Sequence, residues 1–404
     1  MSAVSSTNSD ARKILTELLT KTIELGASDL HLRVDSPPQV RVNGKLQPLD
    51  GYAVLGPDDA GSLARSFLTE EQDRQFEEKR ELDFSIGLEG LSRFRVNIFN
   101  QKETVGAVYR AIPYLIRTFD DLGLPSVVGD LCRKPRGLVL VTGPTGSGKS
   151  TTLATMIDRI NSSRHEHILT IEDPIEFLHT HKSCVVSQRE LGSDTFSFAE
   201  ALRSGLRQDP DIVLVGEMRD LETIEMALRV AETGHLTLAT LHTNTAASTI
   251  TRIIDVFPAN QQPQIRTQLS NVLEGIMCQA LLPNTAGTGR VMAMEILIPN
   301  SAVRNLIRED KIHQIYSMMQ TGNDKFGMQT LNQSLATLYR KREITLETAL
   351  AISSNSKELL DLVGRGQTSQ SAFTGTAGAA NREAVGGIRP MKARMPGAGE
   401  DQQY

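Results

Sequence analysis

Apolar residues Ile14, Leu15, Leu18, Leu19, Ile23 and Leu25 recur three and four apart over residues 11–25, the spacing of one helix face. The period then changes. Residues 28–33 and 39–46 alternate apolar and polar, as strands with one buried face do, and Asn43-Gly44 supplies a hairpin turn signal. A helical stretch follows over 57–79, with Asp58 or Thr69 suited to cap it. Two more alternating runs occupy 83–86 and 92–99, and a strand over 105–112 ends at Pro113. Residues 11–112 therefore predict an α+β domain, and the polar stretch 1–10 is expected to be disordered.

Residues 113–136 mix turn formers with a short helical piece and read as a hinge, with the linker proper at 113–125. Beyond it the pattern becomes strand, helix, strand, helix, which calls for a mostly parallel sheet in a second, α/β domain over 126–365. Its candidate strands are 138–142, 168–171, 184–187, 212–215 and 236–241, with a further strand over 291–298. Helices are predicted over 246–257, 261–282, 301–309 and 345–362. Residues 366–404 hold few large apolar side chains and are expected to form a disordered tail.

Composition narrows the class. The chain has 404 residues, enough for two domains with sizeable cores, and a net charge of −5 that gives no general pull toward nucleic acid. Cys132, Cys184 and Cys278 lie far apart without a C-x-x-C pair, which argues for a reducing compartment and against a structural zinc site. No apolar run approaches a membrane span, so a cytoplasmic protein without direct membrane insertion is expected.

The chemistry concentrates after the first strand of the second domain. Leu138 to Val141 are apolar, and Gly143-Pro144-Thr145-Gly146-Ser147-Gly148-Lys149-Ser150-Thr151 follows, a P-loop in the strand-loop-helix context its chemistry requires. Backbone N–H groups of such a loop wrap a β-phosphate, Lys149 reaches the β and γ oxygens, and the Ser150 hydroxyl ligates Mg²⁺. In open parallel sheets the ligand sits beyond the carboxyl ends of the strands, so polar residues there converge on the same phosphates. Glu172 ends one strand and is the first candidate to order or deprotonate a water near the γ-phosphate. Glu217 follows the run 211–216 in a Walker B arrangement and could hold Mg²⁺ through water or share that role; either acid could instead serve a helix N-terminus. His235 and His242 bracket one strand, and only His242 stands at its carboxyl end, as a γ-phosphate sensor or a structural hydrogen-bonder. In the first domain Arg93 and Arg95 share one strand face and Arg110 lies on a neighbouring strand. They form either a solvated basic edge or a supply of positive charge to a phosphate bound elsewhere.

Together G-P-T-G-S-G-K-S-T-T at 143–152, I-E-D-P-I-E-F at 171–177, V-G-E-M-R-D at 215–220 and T-G-H-L-T-L-A-T-L-H-T at 233–243 resemble the secretion ATPases of type II secretion and type IV pilus systems. Further similarity lies in G-A-S-D-L-H-L at 26–32, R-F-R-V-N at 93–97, A-V-R-N-L-I-R-E at 302–309 and G-M-Q-T-L at 327–331, which point to the retraction branch. The resemblance implies a PAS-like N-terminal domain, a RecA-like P-loop ATPase domain, and ATP and Mg²⁺ as ligands. It implies a homohexamer at the inner-membrane face of the pilus machine, acting on an inner-membrane platform protein to drive pilin disassembly and twitching motility. It also assigns catalytic or sensing roles to Glu172, Glu217, His235 and His242, and turns Arg93, Arg95 and Arg110 toward the nucleotide. The four-cysteine zinc module of the extension branch has no counterpart here. An accessory paralogous pilus ATPase and an extension or secretion-type ATPase are the alternatives.

Overall fold

The structure, a computed structural model, describes residues 3–42, 44–112, 116–287, 289–322 and 326–371. Asn43 of the expected turn, Pro113, and the predicted tail from residue 372 onward lie outside the described residues.

Six strands build the N-terminal sheet: β1 (Asp29–Leu32), β2 (Gln39–Val42), β3 (Lys45–Pro48), β4 (Glu81–Leu88), β5 (Ser92–Gln101) and β6 (Thr104–Ile112). They pair antiparallel in the order β3-β2-β1-β6-β5-β4. Strand alternation sends Leu30, Phe94, Val96, Ile98 and Tyr109 to one face, where they pack with Leu15, Leu18, Leu19, Leu63 and Phe76 from the helices. Arg93, Arg95 and Arg110 take the other face, with Arg95 directly opposite Arg110.

Two helix boundaries differ from the periodicity reading. The first helix spans Ala3–Glu24, beginning upstream of the apolar repeat in the stretch expected to be disordered, because no glycine or proline intervenes to stop it. The stretch 57–79 holds two helices, Pro57–Arg65 and Glu70–Lys79. Thr69 starts the second with a capping box, its hydroxyl accepting from the Gln72 N–H while the Gln72 side chain accepts from the Thr69 N–H.

The second sheet has seven strands: β7 (Gly137–Thr142), β8 (His167–Glu172), β9 (Val185–Glu190), β10 (Ile212–Val215), β11 (Leu236–Leu241), β12 (Leu273–Pro283) and β13 (Arg290–Leu297). Their order is β13-β12-β7-β11-β10-β8-β9, parallel throughout except for the β12–β13 pair. Helices cover both faces, which is why β7, β10 and β11 are buried along their whole length.

The predicted helix over 261–282 is corrected: it stops at Val272 (helix Gln262–Val272) and the chain continues as β12. The predicted helix over 345–362 is likewise two, Leu346–Ile352 and Ser356–Ser371, the second running past the expected boundary at 365. Asn355 opens the second by accepting from the Glu358 N–H. The helix Ser301–Arg308 braces the fold: Val303 and Ile307 are buried, and Arg304 donates to the Ser270 and Asn271 carbonyls and to Glu274. Among the described residues no helix is long and apolar enough to cross a membrane.

Candidate nucleotide site

The loop between β7 and the helix Lys149–Ser163 takes its shape from glycine. Gly143, Gly146 and Gly148 have φ of 140°, 79° and 90°, conformations that side chains rarely adopt. At Gly143 space is also closed, since a Cβ would stand 2.4 Å from the Gln279 carbonyl oxygen and 2.6 Å from Ser147 Oγ. Lys149 Nζ folds back to donate to the carbonyls of Gly143 (2.8 Å) and Pro144 (3.2 Å). Partial burial lowers the Lys149 pKa against the pull of Glu217. Ser147 Oγ is buried inside the loop, against Gly143, without a hydrogen-bond partner.

A cleft of about 670 Å³ opens in front of this loop. Thr145, Gly146, Gly148, Lys149, Ser150 and Thr151 line it, together with Glu172, Glu217, His242 and, from the N-terminal domain, Arg110. Parallel register explains the convergence: Val215 pairs with Ile171 and Thr142 with Leu241, so the ends of β7, β8, β10 and β11 reach one edge.

The two carboxylates there differ in environment. Glu172 Oε1 accepts from Thr170 Oγ1 (2.6 Å) and Gln188 Nε2 (3.2 Å), and burial raises its pKa over the opposing effect of these two bonds. Glu217 is gripped by Arg219 through Nε (2.6 Å) and a terminal nitrogen (2.7 Å), and His242 Nε2 stands 2.8 Å from its Oε1. Partial burial works against ionisation of Glu217, but the Arg219 bonds and His242 outweigh it and hold the carboxyl below its usual range.

The remaining expected residues separate. His235 lies at the opposite, amino end of β11, its Nδ1 3.0 Å from the Val230 carbonyl and its own carbonyl accepting from the Gly137 N–H, so the structure removes it from this cleft. A lone histidine immediately before a strand start has no route to the far end of that strand. Arg93 also departs from expectation. It reaches Glu190 on β9 at 2.7 Å and does not line the cleft. Arg110 donates to Asp29 at 2.8 Å, is 65% exposed and lines the cleft, whereas Arg95, opposite it, does not line the cleft and lies beside Glu176.

Sequence reasoning missed several participants. Arg219 stands two residues after Glu217 within V-G-E-M-R-D, a spacing that could have revealed the clamp. Gln279, whose side chain donates to Thr152 Oγ1 at 2.7 Å and whose carbonyl abuts Gly143, was hidden by the reading of β12 as helix.

Residues 124–351 match the model of a family described as Type II/IV secretion system protein. The chain belongs to that family. Within it, the chain is 52% identical over 335 residues to the type IV pilus retractation ATPase PilT of Pseudomonas aeruginosa, covering 83% of this chain and 96% of that protein. It is 47% identical over 349 residues to a twitching motility protein of Neisseria gonorrhoeae, covering 86% and 92%. The crystal structure of the pilus retraction motor PilT with bound ADP matches it with a TM-score of 0.81 at 53% identity, over 85% of this chain and 98% of that one. In this chain a PAS-like N-terminal domain precedes a RecA-like ATPase domain.

Proposed function

We propose that this protein is the ATP-driven motor of type IV pilus retraction, working as a homohexamer at the cytoplasmic face of the inner membrane on a platform protein. The observation that carries the ATPase reading is the P-loop sharing one cleft with Glu172, whose carboxylate is held by Thr170 and Gln188, and the likeness to the pilus retraction ATPases supports retraction as its use. ATP seats its phosphates in the loop, and Lys149 exchanges the carbonyls of Gly143 and Pro144 for β and γ oxygens. Glu172 accepts the proton of the attacking water as its oxygen bonds the γ-phosphorus and the bond to the bridging oxygen of ADP breaks. A carboxylate raised toward neutrality is a better proton acceptor than an ordinary one, provided it stays ionised at working pH.

When bound, Mg²⁺ would neutralise charge on the β and γ phosphates, with the Ser150 hydroxyl as ligand and Glu217 acting through water. This donor set fits an ion bound chiefly by phosphates and water, because Glu217 is already committed to Arg219 and His242 and the described residues hold no cluster of three His, Cys, Asp or Glu able to carry a metal alone. The Glu217–His242 contact ties two strand ends that flank the γ-phosphate position, so its loss on hydrolysis would be felt by both.

Lys149→Ala should lower ATP turnover of the purified protein by about 100-fold or more. Cells carrying it should extend pili and fail to retract them. Retained hydrolysis would remove the P-loop assignment, and lost extension with intact retraction would point to an assembly ATPase.

A further inference from the structure

Outside the cleft, the most completely built polar contact between the two domains centres on Glu190, at the end of β9. The residue is only 4% exposed. Its carboxylate accepts from Arg93 (2.7 Å) and Ser85 Oγ (2.8 Å), both on the N-terminal sheet, and from the Ile175 N–H (3.1 Å) of the ATPase domain. Arg93 also donates to Ser85 Oγ at 2.5 Å, while its Nε is buried without a partner. One carboxylate thus joins two strands of one domain to the loop that follows Glu172 in the other.

The backbone around it grips the same loop. Glu190 pairs with Glu172 across the β8–β9 register, and the Leu191 N–H donates to the Glu172 carbonyl at 2.9 Å. Ile175, three residues after Glu172, is itself buried. The segment from Glu172 to Ile175 is therefore held at its first residue by the Leu191 amide and at its last by the Glu190 side chain. We propose that Arg93 and Glu190 form a positioning latch: the N-terminal domain sets the placement of Glu172 through Glu190, and Arg93 acts on that loop and not on the nucleotide. This rests on the reading of Glu172 as the water-activating carboxylate.

A misplacement of about 1 Å in a reacting group costs on the order of 100-fold, so loosening the latch should appear in kcat. Expected for Glu190→Gln and Arg93→Ala is a kcat lower by about 10- to 100-fold with KM and ATP affinity unchanged. The double variant should be no slower than the slower single one. Arg93→Lys, which keeps a charged donor, should recover most of the rate. Hydrogen exchange at the Ile175 amide should speed up in Glu190→Gln and Arg93→Ala by more than at other slowly exchanging amides of the ATPase domain, a readout independent of turnover and of any fall in global stability. A rise in KM or in the ATP dissociation constant at constant kcat would make Arg93 a nucleotide contact and overturn the latch. Additive single effects, or unchanged exchange at Ile175, would overturn it too. Glu172→Gln run in parallel separates the two readings: if that variant turns over normally, the assignment of Glu172 fails whatever the latch does.

Discussion

Two carboxylates reach one edge of a parallel sheet, and their neighbours push them in opposite directions. Burial raises Glu172, while Arg219 and His242 outweigh burial and hold Glu217 low. Separated environments of this kind assign roles: the raised group exchanges a proton, and the lowered one stays charged. Glu172→Gln should therefore bind ATP with near-normal affinity and lose turnover by roughly 100- to 10,000-fold, measured by equilibrium binding and by phosphate release. The pH dependence follows with its sign. The base works only when deprotonated, so kcat should fall as pH drops through a pKa above the ordinary carboxylate range, and the acid limb should vanish in Glu172→Gln. An acid limb at or below the ordinary range would assign the base to another group. Glu217→Ala should also bind ATP without turnover, since it releases Arg219 and His242 together; lost binding in place of lost turnover would mean that the clamp builds the cleft itself.

At the level of elements, the P-loop depends on β12 lying against it. Gly143→Ala would place a Cβ 2.4 Å from the Gln279 carbonyl oxygen at a φ of 140°. Strain at such a position costs about 1–3 kcal/mol, so the variant should melt lower and lose nucleotide affinity; an unchanged melting temperature and affinity would show that the β12 contact does not shape the loop. The same strand marks where sequence reading failed. Leu269, Val272, Leu273, Ile276, Met277, Ala280 and Leu281 fall three and four apart, a full helical repeat. Yet Leu273 onward is a strand between β7 and β13 with both faces covered, so nothing in it alternates and tertiary pairing decides the conformation. Gly275 was the available warning, because a glycine inside a helix is unfavourable; in the fold a Cβ there would stand 2.8 Å from Leu131. By contrast, the P-loop and the acids at the ends of β8 and β10 were legible, since strand, glycine and charge are all local signals. The partners of Arg93 and Arg110 were not legible, because each pairing depends on sheet register or on how two domains meet, whereas Arg219 stands only two residues from Glu217.

For the whole molecule, the arginine face of the N-terminal sheet is the feature with the widest reach. Arg95 and Arg110 stand directly opposite each other on β5 and β6, and like charges so placed repel. Asp29, bonded to Arg110, and Glu176, beside both, offset this only in part, and Arg110 remains open to the cleft. A polyphosphate in the P-loop brings several negative charges to the same place, so nucleotide binding should draw the two domains together more strongly with ATP than with ADP. Arg95→Ala with Arg110→Ala should remove that closure. Charge-assisted hydrogen bonds contribute about 1.5–3 kcal/mol each, which predicts ATP binding weaker by at least 10-fold, with a smaller loss for ADP. Energy transfer between dyes on the two domains would report closure and calorimetry the affinities. The pattern should be the reverse of the Arg93 variants, whose deficit lies in kcat: one arginine pair acts on the nucleotide and the third on the loop that carries the base. If the double variant closes and binds ATP as the parent does, the basic face is a solvated edge and closure must be driven from elsewhere in the assembly.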